Sequence, residues 1–271
     1  MQSYAPFYGI ALSQLLFVLL QGSTAWHTAK EGLLAAGILF LCTMPLLWLL
    51  CKAGKCPRLQ AVAPVTGRIV AVLLFASGFA QLFRIVAVCH REYRTSGVWV
   101  LLLTIGLLSL PLHWQALCRM SQALWGFAIL AALILVGLLD HLSWKNLSFA
   151  PVELSRVNRA CMALWVCCPE FLALPWVSKR PTKLWWKLPA MLLAVQSAEA
   201  ILAEAVFGWQ METGRFSSLE AVRCCGIGAF SRLDDVFVGL WLLLALYRLA
   251  VLGQLIRMVW PGGGYDESAD A

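Results

Sequence analysis

Charge is what this sequence has least of. Asp, Glu, Lys and Arg together make up 13% of its 271 residues, where soluble domains carry about a quarter. So few charges cannot cover a water-facing surface, which excludes a soluble globular domain. Disorder is excluded as well, because 61% of the residues are apolar and 13 are tryptophan, the reverse of a disordered composition. Missing too are a phosphate loop, a zincin motif, a serine nucleophile elbow and a pair of catalytic carboxylates. Covalent chemistry and a bound cofactor are therefore not expected. The 4 histidines (His27, His90, His113 and His141) all lie near the ends of apolar stretches, which suits interface residues better than an intramembrane metal site. What remains is a polytopic membrane protein.

A helix needs about 20 mostly apolar residues to cross roughly 30 Å of hydrocarbon, and eight stretches meet that length. Residues 4 to 26, 32 to 51, 95 to 118 and 120 to 139 hold no charge. Residues 69 to 90 hold Arg84, 160 to 178 hold Glu170, 188 to 211 hold Glu199 and Glu204, and 236 to 256 hold Arg248. Solid apolar blocks, not the alternation of barrel strands, make all eight helices. The boundary between the fourth and fifth rests only on Arg119 and its polar flank. The expected architecture is all-α: one transmembrane domain over residues 1–260, then a short Gly-rich acidic cytoplasmic tail over 261–271.

Orientation follows from Lys and Arg, which remain cytoplasmic in short loops. Segments after the second, fourth, sixth and eighth spans carry Lys52, Lys55, Arg58, Arg68, Arg119, Lys179, Arg180, Lys183, Lys187 and Arg257, with acids only in the tail. Loops on the opposite side mix signs: Lys30 with Glu31, Arg91 with Glu92, Arg156 with Glu153. Both termini are thus expected in the cytoplasm of a cell-membrane protein. The net charge of +7 reads as a topology signal and a fit to anionic lipid, not as nucleic-acid binding. Tryptophans such as Trp26, Trp48, Trp114, Trp144, Trp176 and Trp260 fall near span ends and read as interfacial anchors. The 10 cysteines lie mostly in spans as small apolar residues. A disulfide between Cys89 and Cys224 or Cys225 is the one candidate bridge.

Ionisable residues inside the bilayer carry the functional signal, since a charge there costs roughly 3 kcal/mol or more and marks a pathway or a buried pair. Glu170 sits between Pro169 and Pro175. Two prolines break the helical ladder, and a broken span offers helix ends and free carbonyls to a small zwitterion or a cation. The structural alternative is a proline kink whose glutamate bonds to a neighbouring helix. Gly22 and Ser23 interrupt the first span in a similar way. Arg84 needs a partner or must snorkel outward; Glu204 matches its depth while Glu199 lies deeper, so these three form a possible coupling or buried ion-pair set. Arg248 reads as paired or snorkelling. Ser231 and Asp234 resemble a capping box opening the eighth span.

Read on from that cap, Gly226-Ile227-Gly228-Ala229-Phe230-Ser231-Arg232-Leu233-Asp234-Asp235 with Phe237 and Trp241 resembles the entry to the eighth helix of the endospore germination permeases. These are the membrane-embedded B subunits of nutrient germinant receptors, within the amino-acid/polyamine/organocation transporter superfamily. Ser13-Gln14-Leu15-Leu16-Phe17 with Gly22-Ser23 resembles that family's first helix, Pro169-Glu170 with Pro175 its sixth, and Ala116-Leu117-Cys118-Arg119 the segment before its fifth. His113 and Gln115 stand where the family has Gly and Glu.

The resemblance implies a five-plus-five inverted-repeat transporter fold, here truncated after about eight helices, with Gly22, Ser23, Pro169 and Glu170 lining a small-molecule site. It also implies spore germination as the process, the spore inner membrane as the location, an amino-acid-like nutrient as ligand, and A-type and C-type receptor subunits as partners. Two other functions stay open: a proton-coupled amino-acid transporter using Glu170 or Glu199, and a degenerate paralogue serving only as a membrane assembly partner.

Overall fold

A computed structural model describes residues 9–12, 28–53, 63–93, 114–136, 142–147, 151–167, 169–173, 176, 187–208 and 233–260. Among these residues the protein is all helical. In chain order the helices are α1 Ala29–Ala53, α2 Ala63–Tyr93, α3 Trp114–Val136, α4 Leu154–Cys167, α5 Lys187–Phe207 and α6 Leu233–Val259. Short 3-10 turns span Trp144–Asn146 and Pro169–Ala173. Four segments are long and apolar enough to cross a membrane: Ala29–Leu49, Pro64–Ala87, Pro189–Phe207 and Val236–Val259. They coincide with the second, third, seventh and eighth stretches marked out by hydropathy. The first stretch lies largely outside the described residues, although 9–12 are helical and buried in the core.

One boundary is corrected. The division of spans four and five at Arg119 does not hold, because α3 runs from Trp114 through Arg119 to Val136 without a break. Arg119 is exposed on the helix, and an exposed arginine does not interrupt a backbone ladder as proline does. Trp114 is corrected with it. Instead of anchoring at an interface it is 6% exposed and belongs to the main core. Trp48, Trp144 and Trp260 are exposed, as anchors are.

The helices pack as two groups. α1 lies along α5 and α4; α2 lies along α6, which also holds α3. The 3-10 turn Pro169–Ala173 touches α1, α2 and α6, and so joins the groups. α6 is the central helix: 61% of its apolar span is buried, against 33–35% for the other three. Tyr247 on α6 donates to the Leu117 carbonyl of α3 at 3.3 Å, giving the hydroxyl of a buried tyrosine the partner it needs.

α2 carries its polarity inside out. Its buried face holds Gly67, Val70, Leu74, Ser77, Gln81 and Ile85, while Val65, Ile69, Val72, Phe75, Phe79 and Phe83 are 53–65% exposed. The rings of Phe79 and Phe83 meet edge to face at 4.7 Å. Both faces repeat at helical spacing, but the apolar stripe faces outward, as it must where the surrounding medium is lipid.

Segments assigned to one side meet at one end: Thr28 to Glu31, Ser143 to Asn146, Glu153 to Arg156, and Glu204 to Gly208. Gly67, Trp176 and Val259, assigned to the other side, meet elsewhere.

At that second meeting point α2 and α6 approach closely. A Cβ on Gly67 would lie 2.8 Å from the Val259 carbonyl oxygen, a backbone atom that cannot rotate away. Small residues at a helix crossing allow such approach. Gly67→Ala is expected to lower stability by about 1–2 kcal/mol through overpacking. Gly78→Ala serves as the control, since its nearest neighbour is Leu252 Cδ1 at 3.8 Å, and it should be near neutral. Thermal melting of both variants in detergent reads the difference.

Candidate functional site

The site begins with a failure of helix. α4 ends at Cys167, and the chain resumes at Pro169 as a 3-10 turn. Proline supplies no N–H to the preceding turn and clashes with the carbonyl four residues back, so the α ladder stops where the sequence said it would. All five residues of the turn are buried, and Glu170 is 0% exposed. Phe171 and Leu172 insert into the main core, which fixes the turn and with it the glutamate.

The partner of Glu170 is Arg248 on α6. Arg248 Nε donates to Glu170 Oε1 at 2.6 Å, and neither side chain is more than 1% exposed. The guanidinium then donates from Nη1 to Gln81 Oε1 and from Nη2 to Ser77 Oγ, both at 3.1 Å. Ser77 and Gln81 are four residues apart, hence on one face of α2. Three elements thus converge on one fork: the 3-10 turn after α4 gives the carboxylate, the central helix the cation, and α2 two neutral acceptors. Bonding from each guanidinium nitrogen is the geometry that suits arginine to a desolvated pair. Glu170 Oε2 has no hydrogen-bond partner among the described residues.

A second polar cluster closes the N-terminal end of α1. Thr28 Oγ1 accepts from Glu31 N at 3.3 Å, a capping box of the form Thr-x-x-Glu. Glu204 of α5 reaches across to accept from Ala29 N at 2.6 Å, where the positive end of the helix dipole favours a carboxylate. Arg156 lies 2.6 Å from Glu153 Oε2 and 4.0 Å from buried Glu31. Exposed Glu153 is held below the usual carboxylate range chiefly by the Ser155 hydroxyl, and then by Arg156 and Arg159. α5 ends at Gly208, whose φ of 55° is a left-handed stop. The Ala205 carbonyl accepts from both Ser143 N and Asn146 Nδ2 at 3.0 Å.

Of the residues picked from sequence, Pro169 and Glu170 are buried together at the break, as expected. Gly22 and Ser23 lie outside the described residues, as do Ser231, Cys224 and Cys225. Asp234 lies on α6 and Arg84 and Cys89 on α2, their side chains likewise outside. Glu204 caps α1, and Glu199 is half-buried on α5. Arg248 is paired and does not snorkel. Sequence reasoning missed its specific partner, together with Ser77, Gln81 and the Thr28 cap. The signal for the first was available: two polar residues four apart inside a span face one direction and call for a polar neighbour. Among the described residues no group of His, Cys, Asp and Glu is placed to hold a metal ion.

Comparison with protein-family models, with curated proteins and with solved structures returns no match.

Proposed function

We propose that this protein is a membrane-embedded receptor subunit that binds a small amino-acid-like molecule at the break in its sixth span and passes the resulting movement to partner subunits. The observation that carries the reading is the fully buried Glu170–Arg248 pair on a discontinuous helix. A buried ion pair is poor value as a fastener, because apolar residues of similar volume commonly serve stability as well or better. Its presence in a lipid-solvated core argues for a role in recognition. The site offers one cation and one carboxylate with an unengaged oxygen, the complement of a zwitterion's two ends. Binding would exchange the internal pair for two ligand pairs, freeing the broken span from α6 and moving a turn that touches α1, α2 and α6.

The resemblance to germinant-receptor B subunits supplies the physiological form of this proposal: nutrient sensing in spore germination, with A-type and C-type subunits as partners. Glu170→Gln is expected to abolish nutrient-triggered germination while the protein still accumulates in the membrane. Unchanged germination overturns the assignment of Glu170. Uptake into proteoliposomes separates a receptor from a proton-coupled transporter, since a receptor shows no net flux.

A further inference from the structure

Gln196 on α5 is a buried side chain with both polar atoms of its carboxamide unpaired among the described residues. It is 1% exposed, and neither Oε1 nor Nε2 has a hydrogen-bond partner. A carboxamide has two donors and two acceptor lone pairs, and buried polar groups of folded proteins almost always find partners in protein or in ordered water. Gln196 lines a cavity of about 10 Å³ between α1 and α5. Thr43 of α1 lines it as well, with its hydroxyl hydrogen already given to the Phe40 carbonyl at 3.1 Å and its oxygen lone pairs still able to accept. The other walls are apolar, and one of them is Phe171 from the broken-span turn.

Two residues with polar heads, Gln196 and Thr43, line a mostly apolar space with room for about one sphere, and one water molecule needs that room and two to four partners. The space is too small for an organic ligand. A dry cavity of this kind would be lined by apolar groups only.

We infer that this cavity is a structural water site, in which one buried water accepts from Gln196 Nε2 and donates to Thr43 Oγ1, tying α1 to α5 beside the 3-10 turn. The inference does not rest on the role proposed for Glu170. It places a wet joint between two helices already bonded at one end through Ala29 and Glu204, against the residue that follows Glu170. Water-mediated bonds can be exchanged at low cost, so the joint lets α1 and α5 adjust when the turn moves.

The test uses the full-length protein in lipid nanodiscs. A structure at a resolution that reveals ordered water is expected to show density within hydrogen-bonding distance of Gln196 and Thr43. An empty cavity overturns the proposal. Melting of Gln196→Met gives an independent reading whose sign decides. Methionine of similar volume relieves an unsatisfied group if the site is dry, so the melting temperature would rise or stay level. If water is bound, a hydrogen-bonded network is lost and the temperature falls by roughly 2–4 °C. Thr43→Ser keeps the hydroxyl and is expected to melt within a degree or so of the parent; a fall as large as that of Gln196→Met counts against the water site.

Discussion

Arg248→Met destabilises the protein by about 3–5 kcal/mol, the expected result of stranding a carboxylate in the core. The cost does not measure what the pair contributes. With the guanidinium gone, Glu170 at 0% exposure has no cation, and Ser77 and Gln81 lose the donors they share. Water cannot easily replace them in a site packed by Phe171, Leu172 and the α6 side chains. Adding Glu170→Gln to the same chain should therefore recover most of the loss. The double variant removes both charges at once, and paired removal of buried ions is often neutral. Thermal melting of the single and double variants forms a complete cycle. A double variant as unstable as Arg248→Met alone would show that the two side chains are not energetically coupled.

Glu204→Ala is the second large effect, roughly 3 kcal/mol. Two losses combine: a charge-assisted bond worth about 1.5–3 kcal/mol, and the desolvation cost of a buried Ala29 N–H left without an acceptor. The position magnifies both, because the first amides of a helix have no partner of their own and the dipole there prefers a negative group. Glu204→Gln keeps an acceptor oxygen and should recover part of the loss. Local unfolding gives a sharper reading than global melting. Hydrogen exchange at Ala29 should accelerate in Glu204→Ala, while the middle of α1 stays protected by its contacts with α5.

Much of this architecture was legible in the sequence because lipid imposes coarse rules. An apolar run of sufficient length must be a helix, and α1, α2, α5 and α6 follow those runs to within a few residues at most ends. The break at Pro169 was legible for the same reason, since backbone chemistry fixes it locally. Rotation about the helix axes was not legible. Hydropathy sees Arg248 and Arg84 as equal exceptions, and only the packing of α6 against α2 turns Arg248 toward Ser77, Gln81 and Glu170. Span boundaries marked only by a single arginine were equally blind: Arg119 resembled a loop but stands on the exposed face of a continuous helix. The Thr28 cap was visible as a Thr-x-x-Glu spacing, but its third member, Glu204, comes from 175 residues away, beyond any local pattern.

The central place of α6 has a consequence for how the protein is made. Glu170 leaves the ribosome 78 residues ahead of Arg248. At roughly 5–20 residues per second, its carboxylate waits on the order of 4–16 s for its cation. During that interval the turn after α4 carries an uncompensated charge beside the break at Pro169. Burial of the turn after α4 is therefore tied to α6: its carboxylate finds a cation only once that helix has been made.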